Sequence, residues 1–184
     1  MQQQLDLSQY QNTLSRKNQV LRLFWSIVWA VFARPLPKSL CSGWKRFLLR
    51  CFGTKIHKTA IVYSSAKVFM PWNLEMDEYA CLADDVDCYN VDKVKIGKHA
   101  TISQRAFLCT ASHDIEKNNM PLITAPITIE NYAWVAVDAF VGMGVTIGEG
   151  AVIGAKTCIV KDVEPWAVMA GSPAKFIKKR IIKQ

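Results

Sequence analysis

The chain has 184 residues, 51% of them hydrophobic, and a formal net charge of +8. Its length suits one domain with an appendage, and its apolar content excludes a disordered chain. The positive charge points to an anionic partner (a nucleic acid, a membrane surface or a phosphorylated small molecule), although five of the basic residues are gathered in "KFIKKRIIK" near the C-terminus, a pattern typical of a solvated face.

Residues 1–52 read as an N-terminal helical arm. Val20, Leu23, Phe24, Ile27, Val28, Val31 and Phe32 follow helical spacing, and Trp25 and Trp29 widen the apolar stripe. The charge-free block "LFWSIVWAVFA" from Leu23 to Ala33 has 11 residues, too few to span a bilayer, and "RPLPK" follows where a cleavable leader needs small residues. Two readings of the stripe stay open. It packs on the body of the protein or on a neighbouring subunit, or it lies in a lipid surface with Arg16, Lys17, Arg22 and Arg34 meeting acidic headgroups. The six cysteines, at 41, 51, 81, 88, 109 and 158, form no CxxC pair; this fits reduced thiols in a cytoplasmic protein and gives no metal-ligand set.

From residue 56 the sequence repeats. "IHKTA" at 56, "MDEYA" at 76, "IGKHA" at 96, "IENYA" at 129 and "IGEGA" at 147 share one form, and within them an apolar residue recurs every six. The series runs Ile56, Val62, Val68; Met76, Leu82, Cys88; Ile96, Ile102, Leu108; then Ile129, Val135, Val141, Ile147, Ile153 and Ile159. A period of six fits neither a helix nor simple strand alternation. It fits a triangular prism in which each hexad supplies a short strand and a corner, and the repeated aliphatics fill the axis. The early coils are 20 residues long, two more than three hexads, so each bulges at one corner. After Leu108 a longer excursion, about 109–126, leaves the prism with "CTASHDIEKNNMPLITAP".

The run "PITIENYAWVAVDAFVGMGVTIGEGAVIGAKTCIVKDVEPWAVMAGSPAKFI", with the hexads before it, resembles the hexapeptide-repeat acyltransferases. The likeness reaches from roughly residue 53 to the end; "FWSIVWAVFARPLPK", "GWKRFLLRCFGTKI", "YN" at 89 and "LCTASHD" are most similar to the colanic-acid-type O-acetyltransferases of that family. The resemblance implies an all-β fold, a left-handed parallel β-helix over 53–170, and a homotrimer with sites between subunits. It also implies acetyl-CoA as donor, a sugar hydroxyl of an exopolysaccharide or glycolipid precursor as acceptor, and no metal; the thiols add a cytoplasmic place, and the lipid reading of the arm would set it at the inner face of the membrane.

Moving an acetyl group from a thioester to a hydroxyl needs a base, and imidazole suits that task near neutral pH. The resemblance places the base at His113, where the excursion departs, with direct attack of the hydroxyl and no acyl-enzyme through Cys109. It places the pantetheine arm along Trp134, Ala136, Val137 and Ala155, and the nucleotide phosphates near Lys161 and Lys175. Here the sequence reads "AWVAV" and "GMG" where relatives have "WIG" and "PG", which alters the groove. Asp84, Asp85 and Asn90, one coil before the base, either orient the acceptor or serve as ordinary corner residues. A related subgroup's acceptor-binding Asn aligns with Ala83 and does not transfer. His57 and His99 are expected at the surface on different faces, so the three histidines do not converge on a metal.

Residues 171–184 are expected to form a C-terminal helix, with Ser172 as N-cap and Pro173 at the first helical position, closing the end of the prism. Two other functions remain in view: acetyl transfer to a small hydroxyl compound such as an antibiotic or amino acid, and a catalytically idle scaffold.

Overall fold

The computed structural model describes residues 5–11, 14–37 and 41–183; the parts of the expected arm and tail at 1–4, 12–13, 38–40 and 184 lie outside the described residues. The coils wind into three sheets of five, seven and five short strands, the seventh strand of the second sheet being supplied by the tail. Coils stack in parallel register. Ile56, Met76, Ile96, Ile129 and Ile147 align up the first sheet. Val62, Leu82, Ile102, Val135 and Ile153 align up the second, and Val68, Cys88, Leu108, Val141 and Ile159 up the third.

Every residue of the six-step series is buried. Neighbouring residues in a strand point to opposite faces, so one axial residue per strand fixes the inward direction. Burying each such aliphatic stabilises by about 1.5–3 kcal/mol. The corners are closed by small side chains, among them Ala60, Ala80, Ala100, Ala133 and Ala151, none more than 1% exposed. Many corners also carry one residue in left-handed backbone: Tyr79, Asp85, His99, Arg105, Tyr132, Asp138 and Lys156 all have φ between 54° and 60°. Gly148 is required for closeness, since a Cβ there would stand 2.6 Å from the Pro165 nitrogen and 2.8 Å from the Val163 oxygen.

The two extra residues of the early coils all fall where the third sheet returns to the first. The 3-10 turn Pro71–Asn73 fills the first bulge. Asn90 fills the second from inside, its amide accepting from Met70 N (2.9 Å) and donating to Met70 O (2.6 Å).

Among the described residues the arm contains two α-helices, α1 (Arg16–Phe32) and α2 (Ser42–Cys51). They close the lower end of the prism by a specific exchange. Carbonyls of the second coil at Met76, Ala80, Val86 and Cys88 accept from N–H groups of the first coil. The equivalent carbonyls of the first coil have no coil beneath them. Arg50 donates to Ile56 O (2.8 Å), Arg46 to Ala60 O (3.0 Å), Trp29 Nε1 to Ala66 O (3.1 Å) and Trp25 Nε1 to Val68 O (2.7 Å). Side chains thus replace a missing row of backbone donors and blunt an open edge. α1 therefore packs through Trp25, Trp29 and Ala33, whereas Val20, Leu23, Phe24, Ile27, Val31 and Phe32 of the expected stripe are 52–66% exposed.

At the upper end the expected C-terminal helix is replaced by a strand. Lys175–Lys179 runs antiparallel to Ala167–Ala170, pairing Ala170 with Lys175 and Ala167 with Lys179. The uppermost coil offers an open edge that the returning chain satisfies directly, whereas a short isolated helix with five lysines and arginines must nucleate unaided. Arg180 completes the closure, donating to Tyr132 O (2.9 Å) and Gly150 O (3.0 Å).

Candidate active site

The excursion is a β-hairpin. Ala111–His113 pairs antiparallel with Leu122–Thr124, placing His113 opposite Leu122 at the far end of the ladder. Its Nδ1 lies 2.7 Å from the Met120 carbonyl oxygen. A carbonyl only accepts, so Nδ1 carries the proton and Nε2 presents a lone pair. The side chain is exposed, and its ring meets Tyr10 with centroids 5.9 Å apart. Tyr10 arrives from the start of the arm, where Asp6 N donates to Asn118 O of the hairpin (2.9 Å). The arm thus reaches from the foot of the prism to the imidazole.

Below the hairpin the third sheet carries an outward aromatic pair, Phe69 and Tyr89, with centroids 4.6 Å apart. Tyr89 is register partner to Cys109, and the Arg22 guanidinium lies 4.5 Å from the Phe69 ring centroid. Burial, with Cys109 as the next largest influence, pushes the Tyr89 phenol up, so it stays protonated at neutral pH. Tyr10, Phe69 and Tyr89 had no assigned role at the sequence level. The contact of Tyr10 with His113 spans over a hundred residues and leaves no local trace, but aromatics one place after the axial residues Val68 and Cys88 mark an outward column.

Above the hairpin root a concavity of about 270 Å³ is lined by Cys109, Ser112, Phe140 and Met143. It shares Val160 with a second, of about 610 Å³, whose lining includes Lys161 and Pro173. Together they form a track from the residue beside His113 to Lys161. Cys109 Sγ is turned to Ala111 O at 3.2 Å.

The remaining candidates lie elsewhere. Trp134 is 45% exposed on the second sheet and donates from Nε1 to Ser103 Oγ (2.8 Å). Ala136, Val137 and Ala155 follow at the edge between second and third sheets. Ala136 N already donates to Ile153 O, and Val137 O accepts from Lys156 N, so these two groups serve the coil. Lys175 is exposed on the final strand. His113 and Lys161 belong to the opposite edge, where the third sheet meets the first; one chain does not bring the two sets together.

Asn90 as an acceptor contact and the shared corner of Asp84, Asp85 and Asn90 both need correction. Asn90 is 0% exposed and its amide is engaged by Met70, so it shapes the bulge instead of facing an acceptor. Asp84 and Asp85 do not share that corner: they sit between the second and third sheets, Asp84 accepting from Ser65 Oγ (2.8 Å) and Asp85 in the left-handed corner conformation. His99 is exposed and stacks between Tyr79 and Tyr132, while His57 accompanies Thr59 and Glu78. Among the described residues no group of three His, Cys, Asp or Glu is placed to hold a metal ion.

No family model matches the chain. It is 39% identical over 161 residues to the colanic acid biosynthesis acetyltransferase WcaF of Escherichia coli (strain K12), covering 88% of this chain and 87% of that one. It belongs to the hexapeptide-repeat acetyltransferases. The galactoside O-acetyltransferase of Escherichia coli (strain K12) is 36% identical over 97 residues, covering 51% of this chain and 46% of its own length. Among solved structures, a hexapeptide-repeat acetyltransferase of Vibrio cholerae complexed with acetyl-coenzyme A superposes with a TM-score of 0.79 at 23% identity, covering 91% of both chains. A maltose O-acetyltransferase of Clostridium difficile 630 gives 0.79 at 24%, covering 90% of this chain and 89% of that one. The prism is the left-handed parallel β-helix of that family.

Proposed function

We propose that this acetyltransferase takes acetyl-CoA as donor and a sugar hydroxyl of an exopolysaccharide or glycolipid precursor as acceptor, with His113 as general base. The observation that carries the reading is the Nδ1–H bond to Met120 O, which leaves Nε2 basic, exposed and beside an aromatic wall. In the reaction Nε2 removes the hydroxyl proton while the oxygen attacks the thioester carbonyl. The tetrahedral intermediate expels the coenzyme A thiolate, and the imidazolium returns its proton to that sulfur. No acyl-enzyme forms.

The separation of His113 and Lys161 from Trp134, Ala136, Val137 and Ala155 supports a homotrimer, in which facing edges of two prisms enclose the donor and Lys161 and Lys175 meet its phosphates. Rims of aromatic side chains suit the apolar faces of a sugar ring. The exposed apolar face of α1, with Arg16, Lys17 and Arg34 beside it, supports contact with the inner face of a membrane. No helix among the described residues is long and apolar enough to cross one.

The test is thiol release from acetyl-CoA in the presence of an oligosaccharide panel. His113→Ala lowers kcat by about 10²–10⁴ while acetyl-CoA affinity stays within about twofold. Full turnover in the variant removes His113 from the mechanism. Failure of the wild type to bind acetyl-CoA favours the scaffold, and acetylation of small non-sugar hydroxyl compounds alone would replace the acceptor.

A further inference from the structure

A groove of about 580 Å³ runs between α1 and the third sheet. On the arm side its wall is the stripe Gln19, Arg22, Leu23, Ser26 and Ala30 of α1, continued by Arg34 just beyond the helix, with Trp25 and Trp29 bordering it. At about 100° per residue this stripe lies between the face that buries Trp25 and Trp29 and the exposed face of Val20, Phe24, Ile27 and Val31. The groove is mostly apolar, with cations at both ends. Lys67 lies 3.8 Å from Asp87 and balances it, so Arg22 and Arg34 leave a net positive lining. The sheet side ends on Phe69 and Tyr89, the aromatic pair below the hairpin.

We infer that this groove holds the lipid phosphate of a membrane-borne acceptor, a sugar joined through phosphate to a long apolar chain. The order of groups along the groove matches that chemistry. The sugar sits among Tyr10, Tyr89 and His113. Its phosphate meets the Arg22 guanidinium, already held above Phe69 and bonded from Nε to Asn18 Oδ1 (2.9 Å). The chain then lies along Leu23, Ser26 and Ala30, an apolar run of about 10 Å, and leaves past Arg34. There it emerges beside the exposed apolar face of the same helix, which rests in the lipid surface. A soluble sugar nucleotide would have no use for the apolar run, and a plain fatty acyl chain would have none for Arg22.

The inference rests on the reading of His113 as base, and the experiment separates the two. Wild type, Arg22→Ala, Ser26→Trp and Arg34→Glu are titrated calorimetrically, as full chains, with farnesyl monophosphate below its micellar concentration, with farnesol, and with inorganic phosphate. Acetyl-CoA is titrated in parallel, and sedimentation reports the oligomer. Farnesyl monophosphate is expected to bind one per chain, about tenfold or more tighter than farnesol, with no saturable binding of inorganic phosphate. Arg22→Ala and Arg34→Glu weaken it, Arg22→Ala by about tenfold, and Ser26→Trp, which fills the groove, abolishes it. Equal binding of farnesol and its phosphate, or unaltered binding by Ser26→Trp, overturns the inference. So does a Ser26→Trp protein that binds acetyl-CoA but changes oligomeric state, because the groove is then a contact between copies. Wild type that binds acetyl-CoA and ignores farnesyl monophosphate overturns this inference alone; wild type that binds neither overturns the proposed function as well.

Discussion

Replacing Trp25 or Trp29 by Phe keeps an aromatic ring in the arm but deletes the indole N–H that meets a first-coil carbonyl. Val68 O loses its donor at 2.7 Å and Ala66 O its donor at 3.1 Å. Both indoles are nearly sealed, at 3% and 7% exposure. A buried acceptor left without a partner costs about 1–3 kcal/mol. The shorter bond puts Trp25→Phe at the upper part of that range and Trp29→Phe at the lower. The rings touch, with centroids 5.1 Å apart, so the double variant falls short of the sum. Urea unfolding followed by circular dichroism, at one fixed protein concentration, measures the loss. Limited proteolysis between α1 and α2 reports whether the arm lifts first. Both single variants within about 0.5 kcal/mol of wild type, a margin typical of independent sites, would refute the idea that indole donors hold the arm to the open edge.

Two further outcomes follow from single groups. In ¹⁵N spectra recorded well above the titration of free imidazole, His113 shows a protonated Nδ1 and an unprotonated Nε2, the reverse of the form free histidine favours; the opposite pattern breaks the Met120 bond as the orienting contact. Lys45 is fully buried near Ser64 Oγ, and burial holds its ammonium below the usual lysine range. Between that lowered folded value and 10.5 the unfolded chain binds more protons, so this group makes stability rise with pH across the window and withdraws that contribution as pH falls. Lys45→Met therefore flattens the difference between urea midpoints taken at neutral pH and near pH 10, and an unchanged difference counts against the assignment.

The prism was legible because its defining requirement is local and recurrent. One aliphatic every six residues is what an axis of that width demands, and every position in the series from Ile56 to Ile159 is buried. What the period does not encode is how the ends are closed. Trp25 and Trp29 widen a stripe when counted as apolar residues; their polar hydrogens, which choose the buried face, are invisible to that count. The tail reads as a helix from its local signals, Ser172 and Pro173, and the unpaired edge at Ala167–Ala170 overrides them. At the candidate site the departure of the chain after Leu108 marked where His113 would stand, yet nothing nearby announced that Met120 O would orient it. Asn90 shows the converse error. A polar residue at a bulge looks available, but a bulge that leaves Met70 N and O unpaired needs an amide inside the coil.

The arm joins properties that the prism alone keeps apart. Its start lays Tyr10 against His113, its first helix supplies Arg22 and one wall of the groove, and the adjoining face of that helix completes the lowest coil. None of these contacts touches the upper track that runs to Lys161. A change that loosens the arm should therefore act on the acceptor side first, raising the acceptor KM and lowering stability together, while the donor side, built on coils above the hairpin, keeps its affinity. Equal damage to acetyl-CoA binding in Trp25→Phe would mean that the lower edge and the upper track respond as one rigid body, and that the arm has no special claim on the acceptor.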